Sequence, residues 1–119
     1  MTVAVPTQRL VRGTSPASEI EAVANAVLAE LTDPGSRAST AVARVGLDPA
    51  ALAEVRVSTS ESEQGADPWL TTIVVWFLGM VTDRVAEALW NVVLLPRIKS
   101  KLGADAVGPE VREPDHSDR

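Results

Sequence analysis

Residues 67–95 read DPWLTTIVVWFLGMVTDRVAEALWNVVLL, and the way this run folds decides the architecture of the chain. Asp67 and Pro68 offer a helix-capping side chain followed by a proline suited to the first helical position, and no other proline intervenes before Pro96. Taken as helix, Val74, Leu78, Val81, Val85, Ala88, Val92 and Leu95 recur at alternating spacings of four and three, the pattern of a coiled-coil seam. Trp69, Trp76 and Trp90, with Leu94, then fall on a second apolar face. A helix apolar on two faces must be covered by protein on both sides or by lipid.

The uncharged stretch from Trp69 to Thr82 would be about 21 Å long as a helix, short of the ~30 Å core of a bilayer. Extending it to Leu95 supplies the length but brings in Asp83, Arg84 and Glu87, each costing about 2.5 to 3.5 kcal/mol near the bilayer centre. Flanking tryptophans and the basic flank Arg97, Lys99 and Lys101 support a membrane reading. The shortness of the uncharged run favours a helix buried by protein. The basic flank complements a helix dipole, with an anionic lipid or acidic partner surface as its functional alternative.

Upstream, a short strand is expected at Thr2 to Val5 or Gln8 to Val11. Ser15 and Pro16 provide a cap and a first-position proline, and Ser18 with Glu21 a capping box. Ile20, Val23, Ala24, Val27, Leu28 and Leu31 then outline an amphipathic helix that ends at Thr32-Asp33-Pro34-Gly35. A second helix is expected from Arg37 to Val45, capped by Ser36 and stopped by Gly46. Asp48-Pro49 restarts a turn of helix through Leu52, and Val55 to Thr59 alternates as a half-buried strand that needs a partner. Ser58 to Asp67, STSESEQGAD, is polar and acidic and reads as a connector. Pro96 places a kink or stop near Leu95.

The expected fold class is therefore mainly α, with one or two short strands: short N-terminal helices and a strand followed by a long amphipathic to apolar C-terminal helix. Residues 1–13 form an N-terminal arm or short strand, and 14–60 a small helical segment ending in a strand. An acidic linker occupies 61–67, the long helix 68–102 with its kink near Pro96, and a disordered tail 103–119.

At 119 residues with 45% apolar and 23% charged side chains, the composition is that of a single globular domain. Its apolar content is mostly Ala and Val, which bury little area each, so a shared core with a partner is expected. No cysteine is present, which excludes disulfides and thiolate chemistry and is compatible with a reducing compartment. The start, MTVAVPTQRLVRG, lacks the pattern of a secretory signal. Net charge is −5, and one cluster of three basic residues without stacking aromatics argues against nucleic acid. Heavy use of Ala, Val and Arg suggests a GC-rich coding sequence, as in some bacteria and their phages.

No catalytic constellation assembles. The sole histidine, His116, lies in the tail, and no phosphate loop or zinc-protease motif occurs. Asp83 and Glu87 stand one helical turn apart but lack further ligands for a metal. Ser15, Ser36 and Ser39 read as helix caps rather than nucleophiles. The expectation is a small non-enzymatic interaction or adaptor protein in the cytoplasm, without cofactor or metal. It self-associates or docks on a larger protein through the 68–95 helix. Two alternatives are a membrane-associated protein anchored by helix 69–95 and an enzyme subunit whose catalytic groups lie in a partner chain.

Overall fold

The computed structural model describes residues 7–64, 67–79 and 81–110, with the backbone alone at 62–64 and 67–70. Strands β1 (Thr7–Arg12), β2 (Arg56–Gln64), β3 (Asp67–Leu78) and β4 (Val107–Glu110) form one antiparallel sheet in the order β2-β3-β1-β4. Helices α1 (Ala17–Ala29) and α2 (Arg37–Arg44) connect β1 to β2. Helix α3 (Asp83–Ala88), a π-helical segment (Leu89–Leu94) and α4 (Leu95–Leu102) connect β3 to β4. This is the split β-α-β, or ferredoxin-like, connectivity, which hosts many unrelated functions and implies none by itself.

The expected mainly α fold is thus corrected to a two-layer α/β fold, and the long helix over 68–102 does not form. Its first half is β3, paired with both β1 and β2. The reason lies in Thr71, Thr72, Ile73, Val74, Val75, Trp76 and Phe77, a β-branched and aromatic run that packs best on a pleated surface. An unbroken apolar run carries no period, so spacing alone cannot separate strand from helix. Gly79 then ends the strand at φ 120°, a left-handed conformation that side chains avoid, packed 3.4 Å from Val55 Cα at its would-be Cβ. A new helix starts at Thr82, whose hydroxyl oxygen accepts from the Val85 N–H at 3.2 Å. A helical anchor over 69–95 is therefore not formed, and no helix among the described residues is long and apolar enough to cross a membrane.

The expected acidic linker is also strand where it is described. Glu61 to Gln64 continue β2 and Asp67 opens β3, in a hairpin whose register slips between Glu63 and Gln64. Of the expected tail, Val107 to Glu110 return to the sheet as β4 beside β1, while 111–119 lie outside the described residues. That return is tight: a Cβ at Gly13 would stand 2.1 Å from the Asp105 carbonyl oxygen, and Thr14 N–H donates to the same oxygen at 2.8 Å. Strand β1 falls on the expected Gln8–Val11 segment, and the alternative at Thr2–Val5 lies outside the described residues.

Helix α1 and the 3-10 turn after it bury Ile20, Ala24, Val27, Leu28 and Leu31 of the expected stripe and leave Val23 half-buried. Ser36 caps α2 by accepting from the Ser39 N–H at 3.1 Å, and Gly46 follows it at φ 82°. Ser15 is not the cap of α1. Pro16 occupies that position without a side-chain bond, and the Ala17 N–H donates instead to Glu61 Oε2 at 2.8 Å, so the sheet supplies the cap.

Downstream, Ala86, Leu89, Trp90, Val93, Leu94 and Ile98 form the buried face of the second helical connection. The helix does not stop at Pro96, which has no N–H for the preceding turn. The π segment immediately before it widens the backbone, and α4 continues from Leu95 in helical geometry.

Between the layers, Leu10, Val57, Ile73, Val75 and Phe77 point from the sheet towards the helices and are at most 3% exposed. The intervening residues of β3 face the other way, a side the described helices leave uncovered.

Edge strand β2 is closed by α1. Asn25 Nδ2 donates to the Val57 carbonyl at 3.0 Å, and the Val57 N–H donates to Asn25 Oδ1 at 2.9 Å. One side chain thus reproduces both bonds that a neighbouring strand would make. The Thr59 N–H donates to Glu21 Oε1 at 2.8 Å, and its hydroxyl donates to the Ala17 carbonyl at 3.0 Å. An open edge invites pairing with other chains, so this capping also limits edge-to-edge association.

Replacing Asn25 by Leu keeps the volume but strands both backbone groups of Val57. Unfolding in urea should then show a loss of about 2 to 4 kcal/mol, with faster hydrogen exchange at the Val57 amide. Unchanged exchange there, with a loss under about 0.5 kcal/mol, would contradict this role.

Candidate functional site

Two surfaces stand out, one on each side of the molecule. The first is the sheet face opposite the described helices. Arg56, Ser58 and Ser60 of β2 pair there with Leu78, Trp76 and Val74 of β3, while β1 adds Thr7 opposite Trp76 and Arg9 opposite Val74. Trp76 is half-buried, Leu78 is 46% exposed and Val74 is 8% exposed. Thr72, on the same face, is 1% exposed, so the apolar surface that β3 presents outward is that of Trp76 and Leu78. A large aromatic on a solvent-facing strand position carries 150 to 250 Å² of surface, on the order of what an interface anchor presents.

The second surface is a half-open groove of about 510 Å³ between α1 and α4. Ala22, Val23, Ala26 and Val27 of α1 form its apolar floor, and Arg97, Ser100 and Lys101 of α4 one wall. Arg37, from the start of α2, reaches its end. Glu30 lies at the C-terminal end of α1, where a carboxylate opposes the helix dipole. Arg97 compensates with a two-pronged contact: its two terminal nitrogens donate to Glu30 Oε1 at 3.0 Å and Oε2 at 2.7 Å. These hydrogen bonds hold the Glu30 carboxyl below its ordinary value and the Arg97 guanidinium above its own, against the opposing effect of partial burial.

The expected interaction seam does not exist as one surface. Val74 and Leu78 lie on the sheet, Val81 in the loop after Gly79, and Val85, Ala88 and Leu95 are half-buried along the second helical connection. Val92 is 43% exposed on the π segment, well away from the sheet face. The four-three spacing assumes helical rise across a segment where a strand ends and a helix begins, so its positions lose their common face.

The second apolar face separates in the same way. Trp76 lies on the sheet's outer face, Trp90 and Leu94 are in the core at 1% and 0% exposure, and the side chain of Trp69 lies outside the described residues. Of the basic flank, Arg97 and Lys101 line the groove, while Lys99 is exposed and does not. Arg37 and the floor residues Val23 and Val27 carry no sequence signal for a groove, because only packing brings α2 and α4 to α1. The outward exposure of Trp76 is legible in the alternation of β3 once that segment is taken as strand.

Asp83 and Glu87 are both exposed, and among the described residues no three His, Asp or Glu gather to hold a metal ion. His116 lies outside the described residues. Compared with known protein families, curated proteins and solved structures, the chain matches none.

Because the Glu30 carboxyl is held below its ordinary 4.5, its pairing contributes stability that is complete above that value and lost as pH falls through the lowered one. Both side chains are partly exposed, which limits the contribution to about 1 kcal/mol or less. Glu30→Gln should therefore be less stable than the wild type at neutral pH, and the gap should narrow below pH 4.5. Urea midpoints across that range check this, and a gap independent of pH would contradict it.

Proposed function

We propose that this chain is a small non-enzymatic interaction module of the cytoplasm, which pairs with a second copy of itself through the sheet face opposite the described helices. The observation that carries this reading is the outward apolar side of β3, where Trp76 and Leu78 follow one another at strand spacing. Among the described residues, Leu78 is one of three large apolar side chains that remain strongly exposed.

Geometry favours the face over the edges. Strand β2 has its edge capped by Asn25 and Glu21, and β4 is short and contains Pro109, which has no N–H to offer a further strand. At about 4.8 Å between strands and 3.4 Å per residue, the four strands present roughly 500 Å² in outline. That outline is below the ~800 Å² per partner of a standard stable interface, so a pair formed through it depends on protein concentration. Two such faces pack at about 10 Å separation with their side chains interleaved. The lack of cysteine fits a reducing compartment.

Size-exclusion chromatography with light scattering, run across a concentration series, tests the reading. A species of twice 12.6 kDa is expected for the wild type. The double variant Trp76→Ser, Leu78→Lys should run as a monomer, with its unfolding free energy changed by less than about 2 kcal/mol in the dilute limit. A wild type that stays monomeric throughout, or a variant that remains dimeric, would overturn it.

A further inference from the structure

The α1/α4 groove is on the opposite side of the molecule from the outer sheet face, and its chemistry is different. On a chain of net charge −5, three cations, Arg37, Arg97 and Lys101, converge on one crevice with a single carboxylate, Glu30. That carboxylate is already occupied by the two-pronged bond from Arg97. Neither Arg37 nor Lys101 forms an ion pair among the described residues, and both are exposed. Three cations against one carboxylate leave the groove a net charge of +2, with Arg37 also acting on Glu30 through space, while the Glu30–Arg97 bond holds Arg97 in a fixed orientation.

The floor sets the rest of the ligand's character. Val23 and Val27 lie one helical turn apart on α1, and Ala22 and Ala26 beside them keep the groove open because their side chains are small. The solvent-facing part of the floor is Ala22, Ala26 and the half-buried Val23, with Val27 buried beneath them. An ion alone would leave this small aliphatic strip in water, and a neutral hydrocarbon would leave the cations unused. A volume of about 510 Å³ is within the range of small-ligand sites, which combine an apolar lining with a few placed polar groups.

We infer that the groove between α1 and α4 binds a small amphipathic anion. Its carboxylate or phosphate is held between Arg37 and Lys101, and its short aliphatic chain lies on Val23 beside Ala22 and Ala26. Ser100, on the same wall as Lys101, supplies a hydroxyl donor to the head group. The inference is independent of the pairing proposed through the sheet face, and the two fail separately.

Octanoate is the probe, titrated into the full-length protein with backbone amide shifts as the readout. Saturable shifts are expected at Val23, Ala26, Val27 and Ser100, with a Kd of about 0.1 to 1 mM. Octyl phosphate should bind at the same place. Acetate, which lacks the chain, and 1-octanol, which lacks the charge, should each bind about tenfold more weakly or worse. Arg37→Ala with Lys101→Ala should weaken octanoate about fivefold to tenfold and flatten its salt dependence. Both residues are exposed, so the variant is expected to keep its fold, and its amide spectrum verifies that. The inference is overturned by non-saturable shifts, by equal affinity for 1-octanol or acetate, by indifference to the two substitutions, or by shifts that map to the sheet face.

Discussion

The hydrogen bonds between α1 and the outer edge of β2 are the constraint on which the remaining structure depends. Asn25 meets both backbone groups of Val57, Glu21 meets Thr59, and Glu61 returns the contact by accepting from the first N–H of the helix. Hydrophobic packing is tolerant of small slides along a helix axis, whereas bonds to particular backbone atoms are not. The axial position of α1 over the sheet is therefore set by polar contacts at the rim of the core. Glu61 extends the same network to β1 through Arg12, at 3.2 Å.

Two consequences follow from that placement. With α1 held, its C-terminal end brings Glu30 to Arg97, and the second helical connection packs alongside it to define the groove. With the β2 edge satisfied and β4 ending in a proline-containing strand, the sheet has little to offer further strands. What remains available is the face opposite the helices, where the apolar side chains of β3 continue outward. The fold thus separates the outer sheet face, with Trp76 and Leu78, from a cationic crevice on the helical side.

The second helical connection shows how one chain passes from strand to helix without a long loop. Gly79 provides a backbone turn closed to other residues, Thr82 opens the helix, and the π segment absorbs the missing N–H of Pro96. The result puts Trp90, Leu94 and Ile98 fully into the core. Large buried side chains at these positions offset the small apolar residues that dominate the rest of the chain, since burial scales with the area removed from water.

Local chemistry was enough to determine several elements from the residues alone. The three-and-four spacing from Ile20 to Leu31 marks α1, Ser36 and Gly46 delimit α2, and Asp48-Pro49 starts the turn before β2. The composition also told that cysteine chemistry has no place here. What the residues did not decide was whether 67–79 is strand or helix, because an apolar run without alternation satisfies both periods. Pairing decided it: β1 and β2 offer β3 a complete set of partners, and a β-branched run accepts them. That choice then dispersed the apparent seam and tryptophan line, and sent Trp76 outward and Trp90 inward. The groove was likewise invisible in sequence, because Arg97 and Lys101 are far along the chain from α1 and Arg37, and meet them only when the helices pack.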